Sequence, residues 1–378
     1  MDFSGGFLGT IVPFLAVLTA LVFVHEMGHY LIARWNGVRV EVFSIGFGPE
    51  IFGWNDRTGT RWKFSLIPLG GYVKMFGDAN AASMPADDAG GMSAEDRAVA
   101  FPHKRLGQRA AIVAAGPIAN FLFAIVLLAG LFSIVGQPFT PAVVGEVVAD
   151  SAAEAGGFAP GDRVVAVNGQ SVERFEELQR IVALRPGERL TFTVQRDGAE
   201  IELQATPARV ETTNALGETQ EIGQLGLRRS GADYARHDPA TAVWQATRET
   251  FSIVDQTFTA LGQIIRGDRG ADELGGPIRI AQMSGQAAEL GFATVIYFAA
   301  VLSINLGLIN LFPVPMLDGG HLMFYAIEAV RGRPLGERAQ EYGFRIGLAL
   351  VLTLMVVVTW NDLLRLDGLV SFVKGLVT

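Results

Sequence analysis

Hydrophobic residues fall along the 378-residue chain in two patterns. Unbroken apolar runs occupy residues 7–35, 110–135, 294–317 and about 346–360. A helix needs roughly 20 such residues to cross the hydrocarbon of a bilayer; the first three runs have them, and the fourth does once Phe344, Leu363 and Leu364 are counted. Elsewhere the pattern is short alternation broken by turn signals. Residues 142–148 (AVVGEVV), 163–167 (RVVAV), 189–195 (RLTFTVQ) and 199–205 read as strands, with Asn168-Gly169 and Asp197-Gly198 as tight turns. Residues 175–184 have helical spacing between them, and 238–265 read as an amphipathic helix capped by Asp238 and closed by Gly267, with a Gly-rich joint after it. Residues 41–48 and 61–75 have strand character, with turns at 55–59 and at Gly70-Gly71, and 78–91 read as a loop. The fold class predicted is a multi-pass α-helical membrane protein of four transmembrane helices, with a membrane-associated β region and one inserted β-rich domain.

Composition agrees with a membrane chain: half the residues are hydrophobic, 18% are charged, and the mean hydropathy is +0.33. With no cysteine, neither disulfides nor thiolate metal ligation contributes. Charge sets the orientation. No Lys or Arg precedes Arg34, ten lie from Arg34 to Arg109, and Arg331, Arg333, Arg338 and Arg345 follow the third run. Positive segments beside spans stay inside, so both of these are expected in the cytoplasm, and the N-terminus, residues 137–290 and the C-terminal tail outside it. Residues 7–20 lack the basic flank of a cleaved signal peptide and read as part of a span. The outer segment carries 14 basic and 22 acidic residues, a balance that argues against nucleic acid as a partner.

Inside the first run stands HEMGH, His25 to His29. Ionisable groups in an apolar span mark function by default. On a helix His25 and His29 share a face one turn apart, so both imidazoles can hold one metal ion while Glu26 flanks it; this is the zinc-protease spacing, with the Glu as general base. A catalytic zinc takes a third protein ligand. The third run ends in NLGLINLFPVPMLDGGH, where Pro313 and Pro315 break the helix and leave backbone groups able to pair with a peptide. Two residues beyond the break, Asp318 and His321, have the chemistry and the reach of a third ligand.

The stretch APGDRVVAVNGQSV, with the strand and helix order around it, resembles a PDZ domain. PDZ domains take an extended peptide as an added strand and receive its C-terminal carboxylate on a Gly-containing loop. The stretch comparable to that loop, IGQLGL, follows the last strand here, so the expectation is a circularly permuted PDZ with Gly223, Leu225, Gly226 and Leu227 forming the peptide loop.

HEMGH, Gly116-Pro-Ile-Ala-Asn120, an outer PDZ and the stretch from Asn310 to Gly320 together resemble the site-2 protease family of intramembrane zinc metalloproteases, closest to its bacterial sigma-E-regulating members. That resemblance implies one Zn2+ per chain held by His25, His29 and Asp318, Glu26 as the catalytic base, and Asn310 on substrate backbone. It also implies a membrane-dipping β-sheet near Gly70 and Gly71 that binds substrate by strand addition, with Pro313 in the substrate-facing break. Relatives commonly carry two PDZ domains; this chain has room for one.

The division expected is 1–36, first span; 37–107, cytoplasmic β region and loop; 108–136, second span; 137–232, periplasmic PDZ; 233–291, amphipathic helix and joint; 292–327, third span with the LDG motif; 328–343, cytoplasmic loop; 344–378, fourth span and tail. The place expected is a bacterial inner membrane, with the active site toward the cytoplasm. The partners expected are lipid, single-span substrates already trimmed by a site-1 protease, and peptide C-termini at the PDZ, in regulated intramembrane proteolysis such as anti-sigma factor release. An idle PDZ scaffold or a metal transporter are the competing functions; the second needs polar residues along several spans, and the second and fourth runs offer almost none.

Overall fold

The structure, a computed structural model, describes residues 3–78, 92–213, 219–231, 233–267 and 275–364. Nearly all of the loop expected over 78–91, most of the Gly-rich joint and the C-terminal tail lie outside the described residues. The chain divides into two compact units, one formed by Met1–Gly130, Val243–Thr259 and Ala271–Thr378, the other by Leu131–Ala242 and Ala260–Gly270.

Among the described residues four helices are long and apolar enough to cross a membrane. They are α1 (Phe3–Trp35), which is followed by strands β1 (Val40–Asn55) and β2 (Arg61–Met75) and the short helix α2 (Ala94–Val99); α3 (Leu106–Ile134); α8 (Phe292–Asn310); and α10 (Glu337–Leu364). The third span stops at Asn310 although the apolar run continues to 317, because Pro313 and Pro315 have no N–H to continue the ladder. The chain resumes helically at Asp318 as α9 (Asp318–Arg331), which ends on the left-handed Gly332. The LDG motif therefore sits on its own helix, and the loop expected over 328–343 shrinks to 332–336.

Glycine sets how closely α1 and α3 approach. A Cβ on Gly28 would strike the carbonyl of Ala115 and the side chain of Ala119. Such contact gains dispersion energy and lets side chains on facing helices hydrogen-bond, which is how helices associate where lipid removes the hydrophobic incentive. On the other side of α3, Ser303 Oγ of α8 donates to the backbone oxygen of Asn120 at 2.8 Å, inside the buried contact.

β1 runs on past the 41–48 read from the sequence, β2 covers the 61–75 read from it, and both are folded over. Residues 42–45 pair on one side with 71–74 and on the other with 61–64, and 61–64 in turn pair with 52–55. The result is four strand segments in the order 50–55, 61–67, 40–47, 70–75, with glycines 46, 48 and 70 at positive φ around the bends. Among the described residues, segment 70–75 pairs on one edge only. Ile51, Phe52, Phe64, Leu66 and Ile67 are exposed on this sheet, an apolar surface too large to face water comfortably. Asp56 anchors its turn, accepting from Thr58 and Thr60 amides, Trp62 Nε1 and Tyr30 Oη of α1. Partial burial pushes the Asp56 carboxyl up, but the donors from Trp62, Thr58 and Thr60 outweigh it and hold the group below the usual carboxylate range.

The second unit contains the four strands and the helix read from the sequence, as β4, β5, β7, β8 and α5, among others that the reading lacks: β3 (Gln137–Phe139), β4 (Val144–Val147), helix α4 (Ala152–Ala155), β5 (Arg163–Val167), β6 (Gln170–Ser171), helix α5 (Phe175–Ala183), β7 (Leu190–Arg196), β8 (Ala199–Ala205), β9 (Ala208–Thr213), β10 (Thr219–Gln224), β11 (Leu227–Arg229) and β12 (Asp233–Ala235). β6, β5, β7 and β8 form a four-stranded antiparallel sheet, and β11 pairs with β4. Asn168-Gly169 and Asp197-Gly198 adopt the paired positive φ of a type I′ turn. Phe192, Val194, Leu190, Val164 and Leu178 are fully buried in its core. Buried Asp162 receives two bonds from Arg196, at 2.6 and 2.7 Å; desolvation raises its pKa, but the guanidinium more than offsets this and holds it low.

α6 (Pro239–Arg266) is capped by Asp238, whose carboxylate accepts from the amides of Ala240 and Thr241, and it closes on left-handed Gly267. Its buried stripe is Ala246, Thr250 and Ile253, whereas Trp244, Phe251, Phe258 and Ile265, seven residues apart, are exposed. The largest apolar side chains of this helix thus line its exposed face. Glu249 accepts from Tyr297 and Thr257 donates to Asn305, giving two polar groups of span α8 partners on α6. α7 (Pro277–Glu289) is absent from the sequence reading, because its Gly276-Pro277 start resembles the end of a linker. A residue far along the chain caps it: Asp362 at the end of α10 accepts from the amides of Gly276 and Arg279, both at 3.0 Å.

Replacing Asp362 with Ala leaves those two amides unmet, and by analogy with other N-caps the cost is about 1 kcal/mol. Thermal unfolding of the detergent-solubilised Asp362→Ala protein should show a lower midpoint than Asp362→Asn, which keeps an acceptor; equal midpoints would remove the cap from the account of α7.

Candidate metal centre and active site

α1 carries His25 and His29 on the face turned to α3, both buried, and the break after α8 delivers Asp318 to the same point as the first residue of α9. His25 Nε2 lies 3.2 Å from His29 Nε2 and 3.1 Å from Asp318 Oδ2, and His29 Nε2 lies 3.5 Å from Asp318 Oδ1. A tetrahedral ion with ligand atoms ~2.0–2.1 Å away spaces those atoms about 3.3–3.4 Å apart; taking one ligand atom from each residue, the three donors lie within 4.8 Å of one another, close enough to converge on one ion. Asp318 Oδ2 is buried, with His25 Nε2 beside it at 3.1 Å. His25, His29 and Asp318 form the one group among the described residues with metal-ligand spacing.

The chain around the centre is shaped to admit it. His29 Nδ1 is 2.9 Å from the carbonyl of Ile112; a carbonyl only accepts, so the proton is on Nδ1 and the lone pair of Nε2 is free. A Cβ on Gly116 would strike His29 Nε2 and stand 2.9 Å from His25 Cε1, so only glycine leaves room for the imidazole pair. Gly319 and Gly320 serve the break: side chains there would run into the carbonyls of Leu311, Phe312 and Val314. Met316 holds φ +91°, a strained value for a residue with a side chain, and lines the pocket beside Asp318.

A pocket of about 270 Å³ opens over the three donors. Glu26, Gly70, Gly71, Tyr72, Asn310 and His321 also line it. The Val73 amide of β2 bonds the Glu26 carboxylate. A Cβ on Gly71 would stand 2.7 Å from the Ser44 carbonyl and 2.9 Å from Val22 Cγ1, so glycine lets this strand lie against α1 beside Glu26. Pro313 is in the break but off the pocket wall, and His321 lines the wall with its ring against Phe344, outside the ligand group. In the second unit Gly223 belongs to strand β10 rather than to a loop, its Cα packed against the carbonyl of Val182. Leu225 and left-handed Gly226 make the turn, and Leu227 opens β11. Gly116 and Asn120 are the site residues to which the sequence assigns no role; their i, i+4 spacing, which places both on one face of α3, is the signal it carries.

The model of peptidase family M50 matches residues 13–354. The chain belongs to peptidase family M50. A protein of Agrobacterium fabrum carrying the name zinc metalloprotease is 53% identical over 374 residues, covering 97% of this chain and 99% of its own. Metalloprotease MmpA of Caulobacter vibrioides is 41% identical, covering 99% of this chain and 100% of its own. Among solved structures, the PDZ domain of an SdrC-like protein of Listeria innocua overlays 26% of this chain and 99% of its own at 17% identity and TM-score 0.20, too loosely to assign a fold. This M50 chain is a zinc metalloprotease and, with its four apolar helices, a membrane protein.

Space at position 116 gives a direct test. Gly116→Ala should strip the purified enzyme of zinc by elemental analysis, whereas Gly130→Ala, on the same helix with nothing within 4 Å, should keep it; zinc retained at parent level in Gly116→Ala would contradict the packing described.

Proposed function

We propose that this protein is a site-2-type intramembrane protease, hydrolysing peptide bonds within or beside the membrane-spanning segment of single-span membrane proteins. One zinc ion per chain is held by His25, His29 and Asp318. The observation that carries this reading is the position of the donors: two are one turn apart on a span, and the third opens the helix that follows another, with Glu26 in the same pocket. A zinc ion bound there supplies a Lewis acid toward a water and toward the scissile carbonyl. Glu26 takes a proton from the attacking water and passes it to the leaving amine. Asn310, at the last turn of α8, and the unpaired edge of residues 70–75 hold the substrate extended, since a helical peptide bond is shielded from attack. Pro313 keeps the break open without touching the pocket.

The apolar sheet face dips into the bilayer, and the enzyme sits in a bacterial inner membrane with the active site toward the cytoplasm and the second unit and both termini in the periplasm. What supports this orientation is the distribution of Lys and Arg. The second unit acts as a permuted PDZ that binds peptide C-termini in the groove of about 350 Å³ between α5 and residues 222–227, with Leu225, Gly226 and Leu227 receiving the carboxylate and Gly223 supporting them from β10. The free edge of β11 supports that role, since β11 pairs with β4 alone among the described strands. The substrates fitting this scheme are chains already trimmed by a site-1 protease, in regulated intramembrane proteolysis.

Glu26→Gln should lower cleavage of a single-span substrate by at least about 100-fold while leaving the zinc content unchanged, since it removes the base and keeps the ligands. In the same assay Asp318→Asn should lose zinc and His321→Ala should keep it; substantial cleavage by Glu26→Gln, or the reverse metal pattern, would sink the assignment. For the groove, a labelled peptide with a free C-terminal carboxylate should bind the full-length protein more tightly than its amidated twin, and equal binding would remove the carboxylate role.

A further inference from the structure

Asn120 is fully buried on α3, one turn after Gly116, and no role has yet been given to its side chain. Its Nδ2 lies 3.0 Å from Nδ1 of His25, and its Oδ1 is buried with no hydrogen-bond partner among the described residues. The two facts conflict with metal binding in the same way. An amide nitrogen can only donate, so Nδ1 of His25 would have to accept, and the ring proton would move to Nε2. Nε2 is the atom that faces His29 and Asp318. A protonated nitrogen has no lone pair to give a metal.

Turning the side-chain amide by 180° resolves both. Oδ1 then meets Nδ1–H of His25, the stranded oxygen gains a donor, and the lone pair of Nε2 points at the ligand site. His29 already has this arrangement through the carbonyl of Ile112. The backbone of Asn120 is fixed independently, its oxygen accepting from Ser303 of α8. Gly307 of α8 packs against its Cβ at 3.4 Å from where a side chain would begin. The side chain is thus held at His25 by two helices, with the amide rotation as its remaining freedom.

We propose that Asn120 is the positioning residue of the metal centre, accepting from Nδ1–H of His25 and so fixing the tautomer and ring orientation in which Nε2 binds zinc. It acts through His25 and does not touch the ion. The proposal rests on the zinc reading of the site and adds to it the residue that makes His25 a ligand. Partners of this kind typically account for 10–100-fold in metal affinity.

The test measures zinc affinity of the full-length, detergent-purified protein by competition with a chelator, together with the visible spectrum of the Co2+-loaded form. Asn120→Leu, which fills the space without an acceptor, should bind zinc about 10–100-fold more weakly and alter the Co2+ spectrum while keeping the helical circular dichroism of the parent. Asn120→Asp, whose carboxylate can only accept, should bind zinc at least as tightly as the parent, and this arm decides the matter even where Asn120→Leu fails to fold. A zinc-binding parent with an Asn120→Leu variant of equal affinity and spectrum, or an Asn120→Asp variant as weak as one lacking the acceptor, overturns the positioning role alone. A parent that binds no zinc overturns the protease reading and this inference with it.

Discussion

Three metal-binding donors held within 4.8 Å of one another, two on one span and the third beyond the break after another, are the constraint from which the rest follows. Ionisable groups in an apolar slab are tolerated only when they are paired or bound. Each nearby feature meets that demand: the missing side chain at Gly116, the carbonyl of Ile112, the proline break that turns Asp318 inward, and the glycine pair that folds the break onto α9. The same demand explains why α3, which carries no charged residue between Arg109 and its end, still has a buried asparagine at its middle.

Much of this was legible in the sequence because the physics is local. Spans announce themselves by length, HEMGH by its one-turn spacing, Asp238 by its place before a proline, and the turns at Asn168 and Asp197 by the glycine that follows each. The strands β5, β7 and β8 and the helix α5 were readable because alternation and helical spacing do not depend on what they pack against. What escaped depends on distant partners. α7 takes its cap from a carboxylate about eighty residues further along, so no nearby signal marks its start. The folding over of β1 and β2 is a matter of which segments pair, and apolar residues on a sheet that lies beside helices do not alternate in a way that reveals it. The third ligand was open between Asp318 and His321 on chemistry alone; three residues separate them, and the break places one inside the group and the other on the wall.

α6 shows how hydrophobicity can mislead about direction. Its largest apolar side chains form a stripe with a repeat of seven, the usual mark of a buried seam, yet that stripe faces outward and the buried face is made of Ala246, Thr250 and Ile253. In a water-soluble protein this would be an error of folding. Beside a span whose polar Tyr297 and Asn305 bond to Glu249 and Thr257, the small and medium side chains of the helix go in and its largest apolar ones go out.

The separation of His25 from Asp318 along the chain has a consequence for biosynthesis. A ribosome delivers α1 first, so two imidazoles and a carboxylate enter the membrane long before their third metal-binding companion exists. α3 arrives next, and it brings the Ile112 carbonyl and the Asn120 side chain that engage both imidazoles. The half-built centre can therefore wait in lipid as a helix pair, chemically quiet, until α8 and α9 close it. The metal-binding group is thus complete only once α9, the last contributor to it along the chain, has been made.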